Sequence, residues 1–203
     1  MEEHPLFKQI VDDHRAVHGN TGFIVLVYAR GDWCPFCRTW AQEWLQKKEL
    51  IENKGGSIVY LSSQYPVLIP ETWKPTSQGF PLTFDIKFHL DDHATLASKL
   101  GVVVEKPLNK GDQYPDGKMA QPAAFIFRVK DDGGVEQLVS WVHAPRIANL
   151  KGALGRADVD ALLNEAFKRL EENGNKAPST FHARTHMNLS APFRLLVSKV
   201  WAH

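Results

Sequence analysis

The sequence predicts an α/β fold in which helices cover a central mixed sheet, and three observations lead to this prediction. Residues 23–28 (Phe-Ile-Val-Leu-Val-Tyr) are β-branched and aromatic enough for a buried strand. A segment with apolar residues at helical spacing follows, and 57–63 then reads as a second strand, which gives a βαβ unit. Further on, the turn residues 131–134 (Asp-Asp-Gly-Gly) predict a hairpin between strands 123–129 and 135–142.

The remaining elements follow from hydrophobic periodicity and from residues that begin or end helices. Four prolines between 64 and 85 predict an irregular insertion, and a polar stretch rich in glycine, proline and lysine predicts an exposed loop over 105–121. Asp91 or Asp92 is expected to cap the third helix. The predicted helices are 5–18, 35–53, 91–100 and 158–171; the predicted strands are 22–29, 57–63, 86–90, 123–129 and 135–142; and 173–180 is predicted to be a linker.

Composition limits the classes of function. The length of 203 residues suits one domain with additions, expected at 1–172, followed by a linker and a helix at 173–203. With 24 basic and 23 acidic side chains, the charge balance favours no nucleic-acid partner. No apolar stretch approaches the ~20 residues that span a bilayer, and the acidic N-terminus resembles no signal peptide. We therefore expect a cytoplasmic protein without a membrane partner.

The two cysteines of the chain are three residues apart, in the segment 33–37 (Trp-Cys-Pro-Phe-Cys) that joins the first strand to the following helix. Pro35 suits the first position of a helix, so Cys34 is expected at the helix N-terminus. Free amides and the helix dipole stabilise a thiolate there. Cys37 lies one turn further on the same face and can close a disulfide with Cys34. The sequence therefore predicts a redox-active dithiol.

Other interpretations of the cysteines have less support. A zinc or iron–sulfur site needs further ligands, and no second cysteine pair exists, although a site shared across a dimer stays open. A structural disulfide between neighbours this close would constrain little of the unfolded chain. Three H-x-x-x-H pairs have the spacing of metal ligands on a helix but lack the glutamate of H-E-x-x-H, so no metal or other cofactor is predicted. These pairs are His14/His18, His89/His93 and His182/His186.

Three segments carry a resemblance to a known family: Tyr28 to Cys37, Asp91 to Val102, and Gln121 to Phe127. Over about residues 20–172 the chain resembles thioredoxin-fold proteins, and more narrowly the peroxiredoxin-like branch of the alkyl hydroperoxide reductase / thiol-specific antioxidant family. The resemblance implies a three-layer thioredoxin-like fold with peroxiredoxin-like insertions and a C-terminal helical extension.

The resemblance also implies roles for single residues. Cys34 would be the exposed nucleophile and Cys37 the resolving thiol, whose pKa burial should raise. Pro122 would be a cis-proline beside the dithiol, and the backbone of Gln121 would pair with the bound substrate. Trp33 resembles the tryptophan that covers the rim of thioredoxin sites. The predicted substrate-binding residues are therefore Trp33, Gln121 and Pro122.

Three charged residues near the motif are candidates to tune the pKa of a thiol. Arg30 and Arg38 flank the dithiol and could favour a thiolate, or each is an ordinary solvated side chain. Asp32 could relay a proton to or from Cys37, or it is an ordinary polar loop residue. Peroxidatic members carry Thr or Ser three residues before the reactive cysteine and an arginine by the later strand. Here Gly31 and the surroundings of Pro122 offer neither, which favours disulfides over peroxides as substrates.

These observations predict a thiol–disulfide oxidoreductase that acts on a protein or small-molecule disulfide, or on a peroxide, and is reduced by an external thiol. The first alternative is a thiol-dependent hydroperoxide reductase that uses the same dithiol. The others are a glutaredoxin-like carrier of glutathione or of a cluster, and a pathway-dedicated enzyme whose pocket is shaped by the insertion at 64–85.

The C-terminal segment 191–202 has an apolar stripe at helical spacing, and the chain from 173 onward has no acidic residue. A helix beyond the core fold must bury such a stripe. We expect it to dock on its own domain or on a second copy of the chain, which would make a homodimer. The stripe consists of Phe193, Leu196, Val197, Val200 and Trp201.

Overall fold

A computed structural model describes residues 2–31, 34–64, 85–105, 114, 117–143, 157–172 and 179–181. The helices are α1 (Pro5–His18), α2 (Pro35–Gln46), α3 (Lys48–Asn53), α4 (Thr95–Lys99) and α5 (Val159–Glu171), with a 3-10 turn at Asp92–Ala94. The strands are β1 (Phe23–Ala29), β2 (Gly56–Ser62), β3 (Lys87–Leu90), β4 (Val103–Glu105), β5 (Lys118–Ala120), β6 (Ala123–Val129), β7 (Val135–Val142) and β8 (Ser179–Phe181).

Six of these strands form one mixed sheet in the order β3-β2-β1-β6-β7-β8. Strands β1, β2 and β3 run parallel, whereas β6 is antiparallel to both β1 and β7, as the βαβ unit and the hairpin predicted. Because Tyr28 pairs with Ala123, the residues just before β6 lie beside the residues just after β1. This register determines which segments meet at the dithiol.

Helices cover both faces of the sheet, and β1 contributes to both cores because it is central and entirely buried. Its alternate side chains Phe23, Val25 and Val27 pack with α2 and α5, in the core that includes the dithiol. The side chains Ile24, Leu26 and Tyr28 pack with α1 and α4. The three-layer α/β fold with a mixed sheet is therefore confirmed.

The entry into β1 is fixed by a close backbone approach and by a buried histidine. Gly22 has φ +86°, and a Cβ there would lie 2.0 Å from the carbonyl oxygen of Gly55. On α1, the two ring nitrogens of His14 lie 2.8 Å from Thr21 O and 2.8 Å from Ser57 Oγ. These contacts hold α1 against the beginnings of the parallel strands.

Three expectations about elements were wrong in detail. The single helix 35–53 is divided at Lys47, whose N–H donates to Trp44 O, although neither Gly nor Pro marks the break. The predicted loop 105–121 contains part of the β4–β5 pair, and the predicted linker 173–180 overlaps β8. Strands of three residues are too short for hydrophobic alternation to show.

Some expectations lie outside the described residues, namely most of the insertion 64–85 and the C-terminal helix 191–202 with its docking. In the described part of the chain, no helix has the length and apolar character needed to cross a membrane.

Candidate functional site

Cys34 caps the N-terminus of α2. Its backbone is extended (φ −86°, ψ 104°), and its Sγ accepts a hydrogen bond from the Cys37 N–H at 3.3 Å. Pro35 follows at the start of the helix. Both cysteines are free thiols in this structure. The predicted position of Cys34 at the helix N-terminus, one turn before Cys37, is confirmed.

The expected exposure of Cys34 is wrong. Cys34 is 3% exposed and Cys37 is 2% exposed, so accessibility does not separate the two thiols here. Both belong to the core on the α2 side of the sheet, where Trp40 and Trp44 are also fully buried. Any difference in reactivity must therefore come from charges and hydrogen bonds.

The pKa of the Cys37 thiol is raised well above its usual value, as expected. Burial is the main cause of this raised pKa, and the hydrogen bond and the charge of Cys34 add to it. A backbone hydrogen bond from Arg30 and the charge of its guanidinium oppose the rise in pKa. These effects favour the protonated form of the Cys37 thiol.

Arg30 directly follows β1 and binds Gln121, which directly precedes Pro122 and β6. The guanidinium donates to Gln121 Oε1 from Nε at 3.1 Å and from Nη2 at 2.6 Å. Gln121 is only 3% exposed, and its backbone N–H donates to Val102 O at 2.7 Å. The structure thus brings together four of the predicted residues: Cys34, Cys37, Arg30 and Gln121.

Of the remaining predicted site residues, the structure describes Pro122 but not Asp32, Trp33 or the side chain of Arg38. Pro122 precedes β6, and its carbonyl accepts a hydrogen bond from the His143 N–H at 2.9 Å; the cis bond stays a prediction. Asp32 and Trp33 lie outside the described residues, as does the side chain of Arg38. Their proposed roles therefore stay predictions.

Sequence reasoning missed three hydroxyl groups that hold the dithiol loop. Tyr60 OH donates to Cys37 O at 3.1 Å, Ser62 Oγ donates to Arg30 O at 3.3 Å, and Tyr114 OH donates to Arg30 O at 2.6 Å. The polar Ser62 at the carboxyl end of β2 was the available signal, since sites collect at that end of parallel strands.

The best-placed histidine pair is not a metal site. Both ring nitrogens of His14 are already engaged, by Ser57 and by the Thr21 carbonyl, and the ring lies 4.8 Å from that of His18. Burial lowers the pKa of His14, which is the behaviour of a core histidine.

Comparison with known families identifies the chain. Residues 11–137, more than half of the sequence, match the model of the AhpC/TSA family, and this range includes the dithiol, Arg30, Gln121 and Pro122. The protein belongs to the AhpC/TSA family. Membership confirms the predicted class, a thiol-dependent oxidoreductase of the thioredoxin superfamily.

Solved structures agree with this AhpC/TSA fold. A cysteine-to-serine mutant of peroxiredoxin 6 from Arenicola marina matches with a TM-score of 0.55 and 18% identity, over 76% of this chain and 64% of that one. This chain thus spans less than two thirds of that relative's length. AhpC from Enterococcus faecalis matches with a TM-score of 0.50 and 18% identity, over 77% of this chain and 80% of that one. At these identities the likeness supports the fold alone. Among curated proteins none matches the sequence.

Proposed function

We propose that the protein is a thiol–disulfide oxidoreductase in which Cys34 is the nucleophile and Cys37 the resolving thiol. Cys34 Sγ attacks one sulfur of a substrate disulfide, forms a mixed disulfide and releases the first substrate thiolate. Cys37 Sγ then attacks Cys34 Sγ, releases the second thiol and leaves a Cys34–Cys37 disulfide. An external thiol reductant returns the pair to the reduced state.

The observation that carries this proposal is the unequal environment of two adjacent thiols. The Cys34 sulfur receives the Cys37 N–H at the helix N-terminus, an arrangement that favours a thiolate. Burial and the neighbouring Cys34 raise the pKa of Cys37, so this thiol stays protonated until the first step has removed the charge on Cys34. That order of ionisation matches the order of the two steps.

The test uses dithiodipyridine, an uncharged disulfide whose two halves absorb light when they are released. The reduced protein should release two equivalents, the Cys37→Ser variant one, and the Cys34→Ser variant none in the fast phase. The two serine variants are matched controls because both replace a buried sulfur with oxygen. Fast release of one equivalent by Cys34→Ser would refute the assignment of roles, because the only thiol left in this variant is Cys37.

A second candidate is peroxide reduction by the same dithiol, which the AhpC/TSA family match favours. Cys34 would become a sulfenic acid and release water, and Cys37 would displace a second water as the disulfide forms. Gly31 has no hydroxyl to polarise the peroxide, and one such donor is commonly worth ~10²–10³ in rate. We therefore expect peroxide to be the poorer substrate.

Stopped-flow oxidation of the reduced protein, followed by the fluorescence of the buried Trp40 and Trp44, compares the two substrates directly. Oxidation by hydrogen peroxide should be orders of magnitude slower than oxidation by dithiodipyridine. A peroxide reaction near the diffusion limit would instead establish the peroxidase. We further propose that the protein is cytoplasmic. We also propose that it forms a homodimer through 191–202, which a measurement of the molecular mass of the full chain in solution would test.

A further inference from the structure

Arg30 is fixed in place by groups from three other parts of the chain. Its carbonyl accepts the hydroxyls of Ser62 and Tyr114, and its guanidinium makes two hydrogen bonds to Gln121 Oε1. Gln121 is itself buried, and its backbone N–H donates to the Val102 carbonyl. A flexible arginine side chain is thus held in one position.

The position of Arg30 matters for Cys37. Among the described residues, the ionisable groups that act on the Cys37 thiol are Cys34 and Arg30, while the hydroxyl of Tyr60 binds the Cys37 carbonyl. Burial and Cys34 raise the pKa of Cys37, and the backbone hydrogen bond and charge of Arg30 lower it. Arg30 is therefore the group in this set that opposes the cost of a buried thiolate.

We propose that Arg30, held by Gln121, is the positioning residue of the resolving step. This inference rests on the proposed function. Once Cys34 is joined to substrate, it no longer carries a negative charge that disfavours ionisation of Cys37. The Cys37 proton then leaves, the backbone N–H and the charge of Arg30 stabilise the thiolate, and its electron pair forms the Cys34–Cys37 bond while the substrate thiolate departs. The first attack, by Cys34, depends less on Arg30.

The identity of residue 121 supports this role. An amide oxygen accepts both guanidinium donors but carries no charge, so it positions Arg30 without neutralising it. A carboxylate in the same place would hold Arg30 at least as firmly and cancel much of its field. Gln121→Glu should therefore weaken the field of Arg30 while keeping its side chain in the same position. The shape of residue 121 hardly changes.

The experiment follows both steps with the uncharged hydroxyethyl disulfide, using acid quenching and mass measurement of the mixed disulfide at Cys34. In Arg30→Met the mixed disulfide should accumulate, because less Cys37 thiolate forms once the charge of Arg30 is removed and resolution slows by about tenfold. Resolution should also need a higher pH. Gln121→Glu should change in the same direction, and Arg30→Lys should restore much of the rate because it restores the charge.

Arg128→Met is the matched control, since Arg128 is a partly buried arginine of β6 that bonds the Arg169 carbonyl and Glu136. It should leave the pH dependence of resolution unchanged. Unaltered resolution in both Arg30→Met and Gln121→Glu would overturn the proposal, and so would equal slowing of both steps with an unchanged pH midpoint. Failure of the unsubstituted protein to form the Cys34–Cys37 disulfide with this substrate would overturn the proposed function itself, and this inference with it.

Discussion

Two regions at the carboxyl end of the parallel strands each bury an ionisable side chain, but they treat it differently. Asp91, after β3, is fully buried, and its carboxylate accepts four hydrogen bonds. Cys37 follows β1, lies on the other side of the sheet and is almost as buried. Arg30 offsets only part of the rise in the Cys37 pKa that burial causes. The Asp91 donors are Tyr28 OH at 3.2 Å, Thr95 Oγ1 at 3.3 Å, Leu96 N at 2.9 Å and Ala97 N at 2.7 Å.

The difference separates a structural group from a reactive one. Asp91 ties Tyr28 of the central strand to the first turn of α4, so its hydrogen bonds stabilise the fold. Among the residues that the structure describes, no comparable set of donors surrounds the Cys37 sulfur, and its raised pKa favours the protonated thiol. A buried ionisable group with few donors is therefore a feature of the reactive region, and one with four hydrogen-bond donors a feature of the structural one.

The largest loss of stability is expected for Asp91→Ala. The substitution leaves the buried N–H groups of Leu96 and Ala97 unpaired, and each unpaired donor costs about 1–3 kcal/mol. We expect a loss of about 3 kcal/mol or more in the free energy of unfolding, measured by urea denaturation. Asp92→Ala is the matched control, because its side chain is 64% exposed, and it should change stability by less than about 0.5 kcal/mol.

The same change in the reactive region should have a much smaller effect on stability. A protonated thiol behaves as a small apolar group, so Cys37→Ala should cost only about 1 kcal/mol of unfolding free energy. It should nevertheless abolish the release of the second substrate thiol. A destabilisation as large as that of Asp91→Ala would remove the distinction between the two regions.

A smaller effect, on the pH dependence of folding stability, is expected from His14, which lies on the Asp91 side of the sheet. Burial lowers the pKa of His14 in the folded state below the value of about 6.5 in the unfolded chain. Below about pH 6.5 the unfolded chain therefore binds more protons, and folding stability falls as the pH is lowered. The pKa values of His4 and His89 are also lowered, mainly by burial, and act in the same direction.

Urea denaturation at a series of pH values checks this expectation. His14→Gln should reduce the slope of unfolding free energy against pH below about 6.5. An undiminished slope in His14→Gln would show that burial of this ring does not control the acid sensitivity of the fold.

Long hydrophobic patterns in the sequence predicted the fold, and a short local motif predicted the dithiol. Strands 123–129 and 135–142 and helix 5–18 were correct to within a residue, because each buries a long regular pattern. The turn after Asp91 was less accessible to such reasoning. His93 and Ala94 adopt φ of 53° and 51°, which their residue types disfavour.

The contact between Arg30 and Gln121 could not be read from the sequence either. The two residues are 91 positions apart, and only the register of β1 against β6 brings them together. The same limitation applies to exposure: the motif indicated which thiol lies at the helix end, but burial of Cys34 depends on the packing of the whole core.

The central claim is that Cys34 is the attacking thiol and Cys37 the resolving one. The most direct measurement is alkylation of the reduced protein by limiting iodoacetamide at neutral pH, with the modified cysteine identified by peptide mass. Because the helix N-terminus favours the Cys34 thiolate, while the hydrogen bond and the charge of Cys34 disfavour ionisation of Cys37, Cys34 should be modified about tenfold faster or more. Equal rates, or faster modification of Cys37, would contradict the account.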